Sequence, residues 1–304
     1  MEYCLETDYL IKNYRNFRAL KGLTMHVPEG AIYGLIGKNG AGKTTLIRII
    51  SGLQNPSAGS YSLYGERYGT RGIYKARARM GGVVETPSIY ANMTAYENLK
   101  QQFILLGKPS FDEIHEILKL VRLDDTGKKK AGHFSLGMKQ RLGIAIALAG
   151  NPDFIVLDEP VNGLDPQGIV EIRELILKLN RERRITFLVS SHILGELSKI
   201  ATHYGFVHKG EILKETSAEE LNSRCRKCLS VTVTNPSALA PALDYLKIEY
   251  RLTGENTADI YGDTPLMELG DALRLHGVTL LHATEKNEDL ESYYINLIGG
   301  DKND

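Results

Sequence analysis

The sequence carries no excess charge of either sign. Lys plus Arg and Asp plus Glu both number 37 in 304 residues, for a formal net charge of +0. That argues against a generally basic nucleic-acid binder and leaves only local patches, so no nucleic-acid partner is expected. Cysteine is scarce. Cys4, Cys225 and Cys228 are too few for a disulfide scaffold, which makes a reducing, intracellular setting the default expectation. Cys225 and Cys228 have C-x2-C spacing, but no second pair or nearby His pair completes a zinc site. No apolar run approaches the roughly 18 to 20 residues that cross a bilayer. The longest, Leu142 to Ala149, reads as a core helix. The first residues, Met1 to Glu6, lack a basic region followed by an apolar core and are not read as a signal peptide. If the protein serves a membrane, another chain is expected to supply the membrane part.

What is present is an ordinary globular composition, 42% hydrophobic and 24% charged, enough for two domains. It is organised around Gly37-Lys38-Asn39-Gly40-Ala41-Gly42-Lys43-Thr44-Thr45. An apolar run (Ala31 to Ile36) precedes this stretch and a helical run (Leu46 to Ile50) follows it, the context a phosphate-binding P-loop requires. The glycines free the backbone to turn its N–H groups toward phosphate oxygens, and the helix starting near Thr44 directs its positive dipole end at the same anion. Lys43 can reach the β- and γ-phosphates, and the Thr44 hydroxyl can take a position on Mg²⁺. The stretch predicts a nucleotide-binding protein.

Leu23 to Val27 and Gly59 to Gly65 read as strands bounded by turn residues, pieces of an antiparallel sheet beside the P-loop core. Tyr14, in the N-terminal strand region, suits either core packing or stacking on an adenine ring; spacing alone leaves both open. Asn92 to Leu123 turns helical, and Lys128-Lys129-Lys130 reads as a solvated loop. Ser135 opens a further helix, and Asp165-Pro166 is an N-cap with proline at the first helical position. Phe154 to Leu157 and Ile185 to Val189 are all-apolar, as expected of parallel strands buried on both faces. Alternating strands and helices from 31 to 207 predict an α/β domain with a mainly parallel sheet, ending near residue 215. His208 to Glu211 reads as a tight turn between two short strands. A connecting stretch over 216–228 leads to a small α+β domain over 229–304, read as β-α-β-β-α-β and a last helix.

Asp158 and Glu159 end a buried strand, and open α/β sheets place ligands at such carboxyl ends. Asp158 is read as holding Mg²⁺ through its shell and Glu159 as orienting or deprotonating the attacking water; adjacent residues at a strand end diverge, which favours separate roles. The competing reading is a helix N-cap. His192 follows a parallel strand in the same way and is either structural or catalytic.

These residues, taken in order, resemble the ATP-binding subunit of ABC transporters over about residues 3 to 215. Gly37 to Thr45 look like Walker A, Phe134 to Arg141 like the ABC signature, and Phe154 to Asp158 like Walker B. Glu159 matches the catalytic glutamate, Asn162 to Asp165 the D-loop, His192 the switch histidine and Tyr14 the adenine-stacking aromatic. The resemblance implies a P-loop NTPase fold with a mainly parallel core sheet, an antiparallel β subdomain and a helical subdomain. It also implies Gly37, Asn39, Gly40, Gly42, Lys43, Thr44 and Thr45 on ATP and Mg²⁺. The implied assembly is a head-to-tail dimer in which Ser135 and Gly137 of one subunit face the Walker A of the other. Separate transmembrane permease subunits would hold it peripherally at the cytoplasmic face of the membrane.

Two departures stand out. The signature reads Ser135-Leu136-Gly137-Met138 where Ser-Gly-Gly-Gln is usual, and the Q-loop glutamine is replaced by Glu85. Glu85 keeps an oxygen for a metal ion, so it is expected near the nucleotide and Mg²⁺. With Met138-Lys139-Gln140 and Thr94 to Leu99, it makes the chain look like the bacitracin- and lantibiotic-resistance branch, which exports antimicrobial peptides. The rival is a soluble ABC ATPase acting on ribosomes or nucleic acid. Such translation factors carry two ATPase domains and DNA-repair relatives carry long coiled coils; here there is one P-loop and no sustained heptad pattern.

Overall fold

The computed structural model describes residues 2–224, 228–261, 266–286 and 290–299. The chain divides into two compact units, Met1–Ala218 and Glu219–Asp304.

The first unit opens with two twelve-residue strands, β1 (Tyr3–Tyr14) and β2 (Phe17–Pro28), paired antiparallel from Tyr3↔Pro28 to Tyr14↔Phe17. They are longer than the short segments expected. The alternation is interrupted where the ladder shifts register between Thr7 and Leu10, with Tyr9 at a φ of 48°, so one continuous strand changes phase at a bulge. There follow β3 (Ile32–Ile36), α1 (Lys43–Ile50), β4 (Ala58–Leu63), β5 (Glu66–Arg67), α2 (Gly72–Arg77) and β6 (Met80–Val83). The helical stretch contains α3 (Ala95–Leu105), α4 (Glu113–Leu120) and α5 (Leu136–Leu148). Then come β7 (Phe154–Asp158), α6 (Pro166–Arg183), β8 (Thr186–Ser191), α7 (Leu194–Leu197), β9 (His203–His208) and β10 (Glu211–Ser217); α8 (Ala218–Arg224) begins at the last residue of this unit and continues in the second.

Local chemistry sets these boundaries. The Ser135 hydroxyl accepts from Met138 N at 3.3 Å and starts α5; Asp165 accepts from Gly168 N at 3.1 Å, with Pro166 following, and starts α6. Thr94 and Glu97 form a reciprocal capping box on α3. Lys209 and Gly210 join β9 to β10 with φ of 47° and 90°, the two positive values of a type I′ hairpin turn.

One antiparallel sheet has the order β2-β1-β4-β5; a six-stranded sheet has the order β10-β9-β3-β8-β7-β6. In the latter β6, β7, β8, β3 and β9 are mutually parallel and β10 joins by its hairpin. Every residue of β3, β7 and β8 is buried, which explains the apolar runs Phe154 to Leu157 and Phe187 to Val189. A single buried cluster takes Leu5, Leu20 and Met25 from the antiparallel sheet, Leu46, Ile47 and Ile50 from α1, and Phe154 and Leu188 from the parallel sheet. The helix that carries the P-loop lysine is therefore anchored on both sheets.

The lysine run is more than a solvated loop. Lys130 bridges to Thr94 across a short antiparallel pairing, and its ammonium lies 2.9 Å from Glu97 Oε2, inside the capping box of α3. The run supplies the counter-charge of that cap.

The second unit contains β11 (Cys228–Val233), α9 (Pro236–Tyr245), β12 (Glu249–Gly254), β13 (Thr257–Tyr261), α10 (Leu266–Leu275), β14 (Leu280–Lys286) and α11 (Leu290–Gly299). Its antiparallel sheet, ordered β12-β13-β11-β14, gives the split β-α-β arrangement with its own core of Val231, Val233, Leu239, Leu243, Ile260 and Leu273. Of the stretch expected as a connection, residues 216–217 end β10, 218–224 form α8, and 225–227, with Cys225, lie outside the described residues.

Candidate functional site

β3 delivers the chain to Gly37 and α1 takes it up at Lys43. A Cβ on Gly42, whose φ is 112°, would lie 2.8 Å from Leu20 Cδ2 and 3.0 Å from Ala19 O; one on Gly37 would lie 2.7 Å from Val207 O. Both positions require glycine, the first for conformation as well. Gly40 turns at a φ of 80° into open space, with Asn39 exposed beside it. Ala41 N donates to Lys38 O, and Gly210 N of the type I′ turn donates to Ala41 O at 2.9 Å, so the loop is braced from outside. Leu46 N makes the helical bond to Gly42 O, leaving the preceding amides, those of Lys43, Thr44 and Thr45, without acceptors one turn upstream. The result is a cradle of N–H groups shaped for an anion.

Facing it are the carboxyl ends of β7 and β8. Lys43 Nζ donates to Gly37 O at 2.6 Å and lies 3.2 Å from Glu159 Oε1. Glu159 Oε2 lies 2.7 Å from His192 Nδ1. Ser190, the register partner of Asp158, donates its hydroxyl to Asp158 Oδ1 at 2.6 Å, and that hydroxyl accepts from Glu159 N at 2.9 Å. Ser190 is thus the joint that ties the Asp158 carboxylate to the Glu159 backbone, a role that the sequence signals only by its place at the end of an apolar run. Glu159 has a φ of 51°, which turns it away from Asp158 as divergent roles require. No helix begins at this pair; α6 begins after Asp165, so the helix-cap reading is excluded. Between these residues Gly163 turns the D-loop at a φ of 75°.

Glu159 Oε1 is buried and makes no aligned hydrogen bond, although the Lys43 ammonium is within ion-pair distance. A buried carboxylate oxygen in that condition calls for a further donor. A water aimed at a phosphate in the cradle is such a donor. Among the described residues no group of three or more His, Cys, Asp or Glu could hold a metal ion by itself. Mg²⁺ commonly binds one or two protein oxygens and completes its shell with phosphates and waters, and the half-buried Thr44 and the buried Asp158 fit that donor set.

The structure separates Glu85 from this group. Its carboxylate takes Arg48 instead, Oε1 lying 2.5 Å from a guanidinium nitrogen. Nothing in the sequence flagged Arg48. Tyr14 ends β1 and is 37% exposed, its hydroxyl donating to Gln54 and the Lys12 ammonium 5.3 Å from its ring centroid. Core packing is therefore excluded. Ser135 and Gly137 start α5; the contacts joining Lys43, Asp158, Glu159, Ser190 and His192 do not extend to them.

A glycine cradle with a buried lysine, facing two strand-end carboxylates and a histidine, defines a P-loop ATPase. Residues 20–162 match the family described as "ABC transporter". Over 305 residues the chain is 37% identical to the bacitracin transport ATP-binding protein BcrA of Enterococcus faecalis, covering 99% of this chain and 98% of that one. It is 41% identical over 211 residues to the lantibiotic transport ATP-binding protein SrtF of Streptococcus pyogenes, 69% of this chain and 90% of that one. A dimeric ATP-binding cassette in a post-hydrolysis state, bound to ADP and Pi, superposes with a TM-score of 0.64 at 26% identity, over 70% of this chain and 98% of the other. The cbiO1 protein of Clostridium perfringens, part of the ABC transporter complex cbiONQ, gives 0.65 at 28% identity, over 73% and 92%. The chain belongs to the ABC transporter family, as an ATP-binding subunit that hydrolyses ATP. Its relatives do not favour the rival reading of a soluble factor for ribosomes or nucleic acid. No helix among the described residues is long and apolar enough to cross a membrane.

Proposed function

We propose that the protein drives export of antimicrobial peptides through separate transmembrane subunits, which hold it at the cytoplasmic face of the membrane. A full-length relative that serves bacitracin transport, and a relative over 69% of the chain that serves lantibiotic transport, support the substrate class. The observation that carries the ATPase chemistry is the Glu159 carboxylate shared by Lys43 and His192 at the mouth of the cradle.

In this reading the Lys43 ammonium exchanges Glu159 for the β- and γ-phosphates when ATP binds, and Glu159 is released to orient the attacking water. His192 holds the carboxylate in place during the exchange. Mg²⁺, held by Thr44 and Asp158, would neutralise charge on the phosphates. Tyr14 stacks on adenine. Ser135 and the first amides of α5 form a second anion site that is complete only when a second copy docks head to tail, so ATP joins the two and hydrolysis releases them.

The test is bacitracin or lantibiotic resistance in a susceptible strain carrying the chain together with the membrane subunits of a bacitracin or lantibiotic transporter. Wild type should raise the inhibitory concentration and Glu159→Gln should not. Equal inhibitory concentrations for wild type, Glu159→Gln and empty vector would reject the substrate class.

A further inference from the structure

Glu85 and Glu159 stand at matched places in the sheet. β6 and β7 run parallel with Val83 beside Leu157, and each glutamate is the second residue beyond that pair. Both leave their strands in left-handed backbone, φ 63° and 51°, which non-glycine residues hold only where the surroundings fix it. Each carboxylate then meets a cation of the same helix. Lys43, the first residue of α1, lies 3.2 Å from Glu159, and Arg48, in its last turn, lies 2.5 Å from Glu85. Lys43 has its role in phosphate binding; Arg48 has no role so far.

We propose that Arg48 is a positioning residue for nucleotide binding: it holds Glu85 and cancels its charge, so that a carboxylate can stand at this place without repelling the γ-phosphate. The inference rests on the P-loop reading above. Neighbouring strands lie about 4.8 Å apart, so Glu85 leaves the sheet one strand spacing from the catalytic glutamate. An uncompensated carboxylate that near a triphosphate opposes binding by direct Coulomb repulsion. Arg48 is suitably fixed for the task. Its carbonyl accepts from Leu53 N at 2.9 Å and Gln54 N at 3.2 Å, closing the C-terminal turn of α1, and its guanidinium is the partner of a single carboxylate oxygen of Glu85 among the described residues. The pair is partly exposed, 35% for Arg48 and 53% for Glu85, so it adds little to folding stability. Its effect is therefore expressed in nucleotide affinity and not in melting.

The experiment measures affinity of the full chain for a fluorescent non-hydrolysable ATP analogue with Mg²⁺, by anisotropy, with melting temperature alongside. Arg48→Ala should weaken binding on the order of fivefold, a surface-charge magnitude, with the melting temperature unchanged. Glu85→Gln should bind like wild type, and Arg48→Ala/Glu85→Gln should recover wild-type affinity. Arg48→Lys should retain most of it; Arg48→Gln replaces the alanine variant if that one melts early. Wild-type affinity in Arg48→Ala, or a double variant as weak as Arg48→Ala alone, overturns the proposal. Failure of the underlying P-loop reading looks different: wild type and Lys43→Ala would then bind the analogue equally.

Discussion

The two oxygens of Glu159 are divided between two partners: His192 Nδ1 lies 2.7 Å from Oε2, and Lys43 Nζ lies 3.2 Å from Oε1. The carboxylate is held in one plane with its buried Oε1 still short of an aligned donor.

Replacing the acid by its amide tests the water-orienting role. Glu159→Gln should keep ATP binding and lower hydrolysis by at least about 10²-fold, the usual minimum for loss of a general base. ATP should then accumulate a dimer visible by light scattering. Near-normal phosphate release by this variant would remove Glu159 from the role.

Lys43 is tied to the loop it serves through Gly37 O at 2.6 Å. Lys43→Ala therefore loses both the cation for the phosphates and one brace of the cradle. Calorimetry should detect no ATP binding; unchanged affinity together with normal turnover would contradict the assignment.

The site contacts described above are all made by residues of the first unit. β10 is complete at Ser217, and Ala218 N still donates to Thr202 O at 2.8 Å. A chain ended after Ala218 should melt cooperatively and bind ATP. Loss of binding in such a fragment, with cooperative melting retained, would show that the second unit completes the site.

Glu97 provides a pH-dependent marker. The Thr94 backbone amide at the head of α3, and then Lys130, hold its carboxyl at about 2 against an ordinary 4.5. A depressed folded-state pKa stabilises at pH above the unfolded value, so this contribution is whole above about 4.5 and declines as pH falls toward 2. Glu97→Gln should melt below wild type at pH 7 and 5, with the gap narrowing at pH 3.5. A gap that is constant over that range would show that the charge of Glu97 is not what acts.

Local rules made much of the fold legible. Ser135, Asp165-Pro166 and His208 to Glu211 each announce an element by chemistry acting within a few residues, and all three act as expected. The C-terminal β-α-β-β-α-β order is likewise written in short alternating runs. What escaped depends on partners distant in sequence. Arg48 meets Glu85 only because β6 is placed beside β7, and Ser190 joins Asp158 to Glu159 only through the register of β8. Lys130 looks solvated until the turn before α3 folds back on it. The length of β1 was hidden by a bulge that breaks its alternation at Tyr9.

The place of β3 in the sheet has a consequence for the order of assembly on the ribosome. Its two strand neighbours are β8 and β9, more than a hundred residues downstream, and Gly37 rests on the carbonyl of Val207. A nascent chain that has reached residue 162, where the family match ends, contains the entire phosphate loop but neither strand that flanks it. Such long-range pairings bear the loop-closure cost before they return any stability. The nucleotide cradle is thus synthesised well before the strands that complete it.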